Sequence, residues 1–200
     1  MASSPLPSPQ LILASTSPRR QQLLREAGYE FTVRPADVNE DDHPPMLPAD
    51  LAEYLASKKA QDVARRFPDD VVLGADTVVA FGDTVLGKPR DAADARRMLE
   101  LLGGTTHVVI TGVAVVRAAA NFFTCSRVMS AVHMRDLSPD EVERYVAGGQ
   151  WEGKAGGYGI QDDDPFVTRM SGCHTNIVGL PIPETRRLLA RAGVVPANTV

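Results

Sequence analysis

The sequence predicts an α/β domain whose sheet is mixed and flanked by helices. Two observations carry this. Helical and strand patterns alternate through the first half of the chain, and two long β-rich segments, Thr106 to Arg117 and Phe122 to Met134, then follow one another directly. A length of 200 residues with 44% hydrophobic and 23% charged residues suits one compact unit, placed at 11–192.

Taken in order, Met1 to Gln10 holds three prolines and three serines among few apolar groups, so it cannot offset the entropy of ordering and is expected to be a disordered tail. Leu11 to Ala14 is a short apolar strand. Ser17 then serves as N-cap and Pro18 as the first residue of a helix that turns Leu23, Leu24 and Ala27 inward and stops at Gly28. Phe31 to Val33 reads as a second strand, and Val38 to Pro48, rich in Asp, Glu and Pro, as an exposed loop. Leu51, Leu55, Val63 and Phe67 recur every four or eight positions, which gives a long amphipathic helix from Ala49 to Phe67.

Val71 to Phe81 is an almost continuous apolar run, a buried strand that Gly82 and Asp83 turn back into Thr84 to Leu86. Asp91 caps a helix bearing Ala95, Met98, Leu99 and Leu102, stopped by Gly103 and Gly104. After the two long strands come a helix from Pro139 to Ala147, a glycine-rich loop at Gly153 to Gly159, a hairpin-like stretch around Ser171 and Gly172, and a last helix near Pro183 to Ala190. Residues 193–200 are expected to be a flexible C-terminus, and no internal repeat is visible.

Composition narrows the function. A net charge of -4 and a pI near 5.6 argue against a nucleic-acid polymer as partner, because such binding shows as a basic surplus; a small anion needs only a local cluster of cations. Cys125 and Cys173 lie far apart without metal or redox spacing, and no glycosylation acceptor occurs, so both thiols are expected reduced. No apolar run spans a bilayer and the N-terminus lacks a signal-peptide pattern, so a cytoplasmic protein without membrane attachment is expected.

Five segments look chemical. Ser15-Thr16-Ser17-Pro18-Arg19-Arg20 sets two arginines in the first turn of a helix, at the positive end of its dipole, which is unfavourable unless an anion uses both. With hydroxyls and free backbone N–H groups alongside, it forms a phosphate cradle; a solvated basic turn is the plain alternative. Asp76 stands inside Val-Val-Leu-Gly-Ala-Asp-Thr-Val-Val, where an unpaired buried charge costs several kcal/mol in order of magnitude. A metal ion, or a water needing a base, compensates it, and the expected place is a strand end opening on a cleft; an aspartate in a tight turn bonded to backbone amides is the plain alternative, which the continuing apolar run disfavours.

Lys59 falls between Leu55 and Val63 on the helical wheel, in the middle of the apolar face, with Lys58 as its solvent-edge contrast. A lysine so placed either snorkels or reaches a buried anion, and the second is the expectation. Gly82 to Lys88 matches G-x-x-x-x-G-K, but Pro89 stands where a P-loop hydroxyl belongs and the segment is a hairpin, so that reading is rejected; Lys88 and Arg90 remain as cations near a helix start. Lys154-Ala155-Gly156-Gly157-Tyr158-Gly159-Ile160-Gln161 lets the backbone approach a ligand, with Tyr158 free to stack or pack and the Gln161 amide able to pair with a base edge; a plain turn explains the glycines equally well. His43, His107, His133 and His174 show no metal-ligand spacing.

The ordered set S-T-S-P-R-R, G-A-D-T, G-K-P-R-D and K-A-G-G-Y-G-I-Q resembles the Maf family of nucleotide pyrophosphatases, from about Leu11 to Leu189. The resemblance implies a fold similar to the inosine triphosphate pyrophosphatases, an elongated mixed sheet in two lobes around a cleft. It implies Asp76 as catalytic base and Ser15, Ser17, Arg19, Arg20, Lys59 and Lys88 as triphosphate contacts. Arg19, Thr77 and Gln161 match the members acting on dTTP and UTP, whereas the branch acting on 7-methyl-GTP has Trp, Gln and Glu there. Two departures stand out: Gly87 replaces a frequent glutamate, and Asp162-Asp163-Asp164-Pro165 follows Gln161. Those carboxylates either recruit a cation or solvate a loop.

The expectation is therefore hydrolysis of dTTP or UTP, and of modified pyrimidine nucleotides, to the monophosphate and pyrophosphate, with Mg²⁺ or Mn²⁺ on Asp76 and Glu40. The partner is a small nucleotide, and a homodimer is compatible with the resemblance. The alternatives are a nucleotide-binding regulator of cell division, for which Asp76 is the wrong charge, and a 7-methyl-GTP pyrophosphatase.

Overall fold

Apolar, β-branched stretches at 71–81, 106–117 and 122–134 become the three longest strands of one seven-stranded sheet. The computed structural model describes residues 9–162 and 166–197. Strands β1 (Leu11–Leu13), β2 (Thr32–Val33), β3 (Val71–Phe81), β4 (Thr84–Leu86), β5 (Thr106–Arg117), β6 (Phe122–Met134) and β7 (Val167–Ser171) alternate with helices α1 (Pro18–Glu26), α2 (Pro48–Arg66), α3 (Ala92–Leu102), α4 (Pro139–Ala147), α5 (His174–Val178) and α6 (Ile182–Arg191). The order is β2-β1-β3-β5-β6-β7, with β4 beside β3. β1 runs parallel to β2 and β3; every other pairing is antiparallel, so the sheet is mixed as expected.

Local signals set most boundaries. Pro18 starts α1 after Ser17. Asp91 caps α3 by accepting from the Asp94 N–H at 2.8 Å, and Ser138 with Glu141 forms a capping box at α4. The stretch around Ser171 and Gly172 is not the hairpin expected. β7 ends at Ser171 and the chain enters α5, because the Ser130 hydroxyl accepts from the Cys173 N–H at 3.0 Å and draws the backbone onto β6.

Of the expected N-terminal tail, only residues 9 and 10 are described, and Gln10 bonds through its N–H to Asp70. In the expected C-terminal tail, residues 198–200 lie outside the described part; Val194 packs on the core and the Ala197 N–H donates to the Gly28 carbonyl. Among the described residues, no helix is long and apolar enough to cross a membrane.

Two features of β3 place the site. First, β5 pairs one edge of β3 from Val72 to Ala80. The other edge is shared: β1 takes Val71 to Leu73 and β4 takes Val79 to Phe81, leaving Gly74 to Val78 without a neighbouring strand. Apolar packing divides accordingly. On one face of the sheet, one core gathers Leu13, Leu73 and Val115 with α1 and α6, and another gathers Val79, Val109 and Val132 with α3 and α4.

Second, α2 crosses the opposite face at close range. A Cβ on Gly74 would lie 2.4 Å from the Ala56 carbonyl oxygen, and one on Gly112 2.1 Å from that of Ala52. Glycine at these two positions, facing Ala52, Ala56 and Ala60, lets helix backbone press against strand backbone. That contact fixes the distance from Lys59 on α2 to Asp76 on β3.

Candidate active site

Side chains alternate along β3, so Asp76 and Thr77 leave its unpaired edge on opposite faces of the sheet. The structure thus corrects the expectation of a strand end: Asp76 sits mid-strand, and the cleft exists because the neighbouring strand is interrupted. The cleft has a volume of about 1000 Å³, the upper end of the roughly 300–1,000 Å³ usual for small-ligand sites. Ser15, Ser17, Arg19, Arg20, Glu40, Lys59, Asp76, Thr77, Lys88 and Gln161 all line it, so every residue predicted for the site converges there.

On the α2 side, Asp76 is 6% exposed and its Oδ1 accepts from Lys59 Nζ at 2.5 Å. Lys59, itself buried, also pairs with Glu40 at 2.8 Å. The anion that this lysine reaches is therefore a pair of protein carboxylates. Oδ2 of Asp76 has no hydrogen-bond partner among the described residues. Glu40 is half-exposed; burial opposes its ionisation, but the Lys59 hydrogen bond and the charges of Lys59, Lys88 and Arg20 hold its carboxyl below the usual carboxylate range. Lys58 does more than mark a solvent edge. Its Nζ donates to the carbonyls of Asn39 and Asp42 at 3.1 and 2.9 Å, tying down the loop that carries Glu40.

On the other face, Arg20 donates from Nε to the Gly179 carbonyl at 2.8 Å, from Nη1 to Ser15 Oγ at 3.2 Å and from Nη2 to Thr77 Oγ1 at 3.0 Å. All three acceptors are neutral, so the guanidinium is held in place without its charge being cancelled. Burial lowers its pKa, Asp76 and Glu40 only partly oppose this, and the nearby charge of Arg19 adds to it. Arg19 reaches across the cleft to the Gly153 carbonyl at 3.1 Å. Lys88 has no ion-pair partner among the described residues.

The glycine-rich loop closes the far side. Asp162 accepts from the Gly159 N–H at 2.8 Å and from Tyr145 Oη at 2.5 Å, and pairs with Lys154, so this carboxylate clamps the loop; Asp163 and Asp164 lie outside the described residues. Gln161 is exposed at the rim, its amide without a partner among the described residues. Tyr158 is buried, its ring edge-on to His107 and its hydroxyl 2.5 Å from His107 Nε2.

His107 is 1% exposed, and burial, with His133 nearby, pushes its pKa down to about 4. Its native form is the neutral ring, whereas in the unfolded chain it titrates near 6.5. This contribution to stability is present above about pH 6.5 and fades as pH falls toward 4, by about 3 kcal/mol in all. Denaturant midpoints between pH 7 and pH 4 should fall in the wild type, and fall less in His107→Gln.

Sequence reasoning missed Thr111, Asn176 and Gly179, which support Arg20 from behind. Thr111 carries the signal that marked Asp76, a polar residue inside the apolar run Val108 to Val116.

A family model described as Maf-like protein matches residues 10–192. A dTTP/UTP pyrophosphatase of Cereibacter sphaeroides is 48% identical over 186 residues, covering 92% of this chain and 95% of the relative. One from Anaeromyxobacter dehalogenans is 46% identical over 189 residues (93% and 95%), and one from Pelotomaculum thermopropionicum 42% over 185 residues (92% and 97%). Among solved structures, a HAM1 protein from Coxiella burnetii aligns with a TM-score of 0.41 at 16% identity, covering 63% of this chain and 73% of that one. Matched by the family model over most of its length, the chain belongs to the Maf family.

Proposed function

We propose that the protein hydrolyses dTTP and UTP to the nucleoside monophosphate and pyrophosphate. The observation that carries this is the pairing, across one cleft, of a buried carboxylate with an open oxygen and an arginine bound only by neutral groups. The first suits a base, the second a phosphate chain. The names of the relatives support the same activity and substrates.

Asp76 and Glu40 are the residues that would hold a divalent ion. Among the described residues there is no group of three or more ligating side chains, and two hard carboxylate oxygens are a donor set that suits Mg²⁺ or Mn²⁺, which complete their shells with water and substrate phosphates. Bound there, the ion supplies charge neutralisation to the triphosphate.

The chain's own groups do the rest. Asp76 takes a proton from a water that attacks the α-phosphorus; the bond from that phosphorus to the bridging oxygen breaks, and pyrophosphate leaves. Lys59 holds the Asp76 carboxylate through its Oδ1 and leaves Oδ2 facing the cleft before substrate arrives. Arg19, Arg20 and Lys88, with the Ser15 and Ser17 hydroxyls, stabilise charge on the phosphoryl oxygens, the effect that contributes most to the rate of such transfers. Gln161 pairs with the pyrimidine edge, and Thr77 influences substrate choice through Arg20.

The test is pyrophosphate release from a panel of nucleoside triphosphates with and without Mg²⁺. Release from dTTP and UTP that is lost with a chelator is expected; activity confined to purine nucleotides would remove the substrate assignment and leave the reaction type standing.

A further inference from the structure

We infer that Thr111 and Asn176 are positioning residues that aim the Arg20 guanidinium, acting through the Thr77 hydroxyl and the Gly179 carbonyl. The inference rests on the reading of Arg20 as a phosphate ligand. Both residues are fully buried and neither lines the cleft, so any effect they have on substrate must pass through a third group.

Hydrogen supply dictates the route. A threonine hydroxyl has one hydrogen to donate. Thr111 gives its hydrogen to the Asn176 carbonyl oxygen at 3.1 Å. The 2.9 Å contact between the Thr77 and Thr111 hydroxyls then takes the Thr77 hydrogen, which leaves Thr77 Oγ1 with only lone pairs to offer, and Arg20 Nη2 donates to them. The competing direction, Thr77 donating to the Gly179 carbonyl, is 3.5 Å long and would leave the Thr111 contact without its hydrogen.

Asn176 is the common anchor. Its carbonyl oxygen also accepts from the Gly179 N–H at 3.0 Å, which sets the peptide of a glycine at φ +121°, and the Gly179 carbonyl receives Arg20 Nε. Two of the three bonds that orient the guanidinium therefore lead back to one carbonyl oxygen. The Asn176 side chain holds that oxygen in place by donating to the Val109 carbonyl at 3.0 Å and to Ser130 Oγ at 2.9 Å, on β5 and β6. A chain of buried bonds with a fixed direction restricts the terminal group more than isolated contacts do.

The experiment measures kcat/KM for dTTP in Thr111→Val, Thr111→Ser, Arg20→Ala and the Thr111→Val/Arg20→Ala double variant, with thermal melting of each. Valine keeps the shape and removes the hydroxyl; we expect a loss of about tenfold, the scale of one buried hydrogen bond between neutral groups. Serine should restore the wild-type value, and in the Arg20→Ala background the valine should add nothing. If Arg20→Ala itself matches the wild type, the phosphate reading of Arg20 fails. If Arg20→Ala is impaired while Thr111→Val is not, or if the valine loss persists undiminished in the Arg20→Ala background, the positioning inference is overturned. Should Thr111→Val not fold, Thr77→Val interrupts the same route one bond nearer Arg20, and an additive loss there would overturn it equally.

Discussion

Asp76→Asn should lower kcat for pyrophosphate release from dTTP by on the order of 10²–10⁴-fold, the range for removing a general base, while nucleotide binding stays within a few-fold of wild type. The amide fills the same space mid-strand on β3 but cannot take a proton from water. Binding survives because Arg19, Arg20 and Lys88 reach the cleft from other elements and none of them is paired with Asp76. Lys59 retains Glu40 at 2.8 Å, which limits the structural damage. Kinetics with dTTP and nucleotide titration of the same preparation decide the matter; an Asn variant at the wild-type rate would exclude Asp76 as the base.

Lys59→Met should produce the largest loss of stability of any cleft substitution. It removes the cation between Asp76 and Glu40 and leaves the Asp76 carboxylate buried without its partner, at a cost of ~3–5 kcal/mol. For a domain of this size that corresponds to a melting temperature lowered by roughly 6–20 °C. Neutralising the stranded carboxylate should recover part of the loss, so the Lys59→Met/Asp76→Asn double variant should melt above Lys59→Met alone. A double variant that is destabilised by the plain sum of the two would show that Lys59 and Asp76 do not act as a pair. Calorimetry at pH 7 on the four proteins is sufficient.

Much of this molecule is legible along the chain. Apolar period and the punctuation by Gly, Pro and Asp locate β3, β4, β5, β6, α3 and α4, because strands this apolar and helices this well capped form from interactions within a few residues. The same reasoning finds Asp76 and Lys59, since a charge in an apolar face must have a partner whichever fold it lies in. It does not find Thr111 or Asn176 as readily, because a buried hydroxyl or amide is a milder anomaly than a charge and satisfies itself in many ways. Gly172 misleads, since glycine permits a turn of any kind and only the bond from the Cys173 N–H to Ser130 selects entry into a helix.

The mixed α/β class, the identities of the cations and carboxylates, and the ordered motifs that mark the Maf family can all be read from the order of residues. Folding in three dimensions was needed to show that Lys59 is held by Asp76 and Glu40, that Arg20 meets only neutral acceptors, and that the cleft opens mid-strand. The reason is that each of these depends on which distant segments share an edge or a face: β1 and β4 stopping short on one side of β3, and α2 pressed against Gly74 and Gly112 on its face. Periodicity reports the side of an element on which a residue lies, and only long-range pairing determines what it meets there.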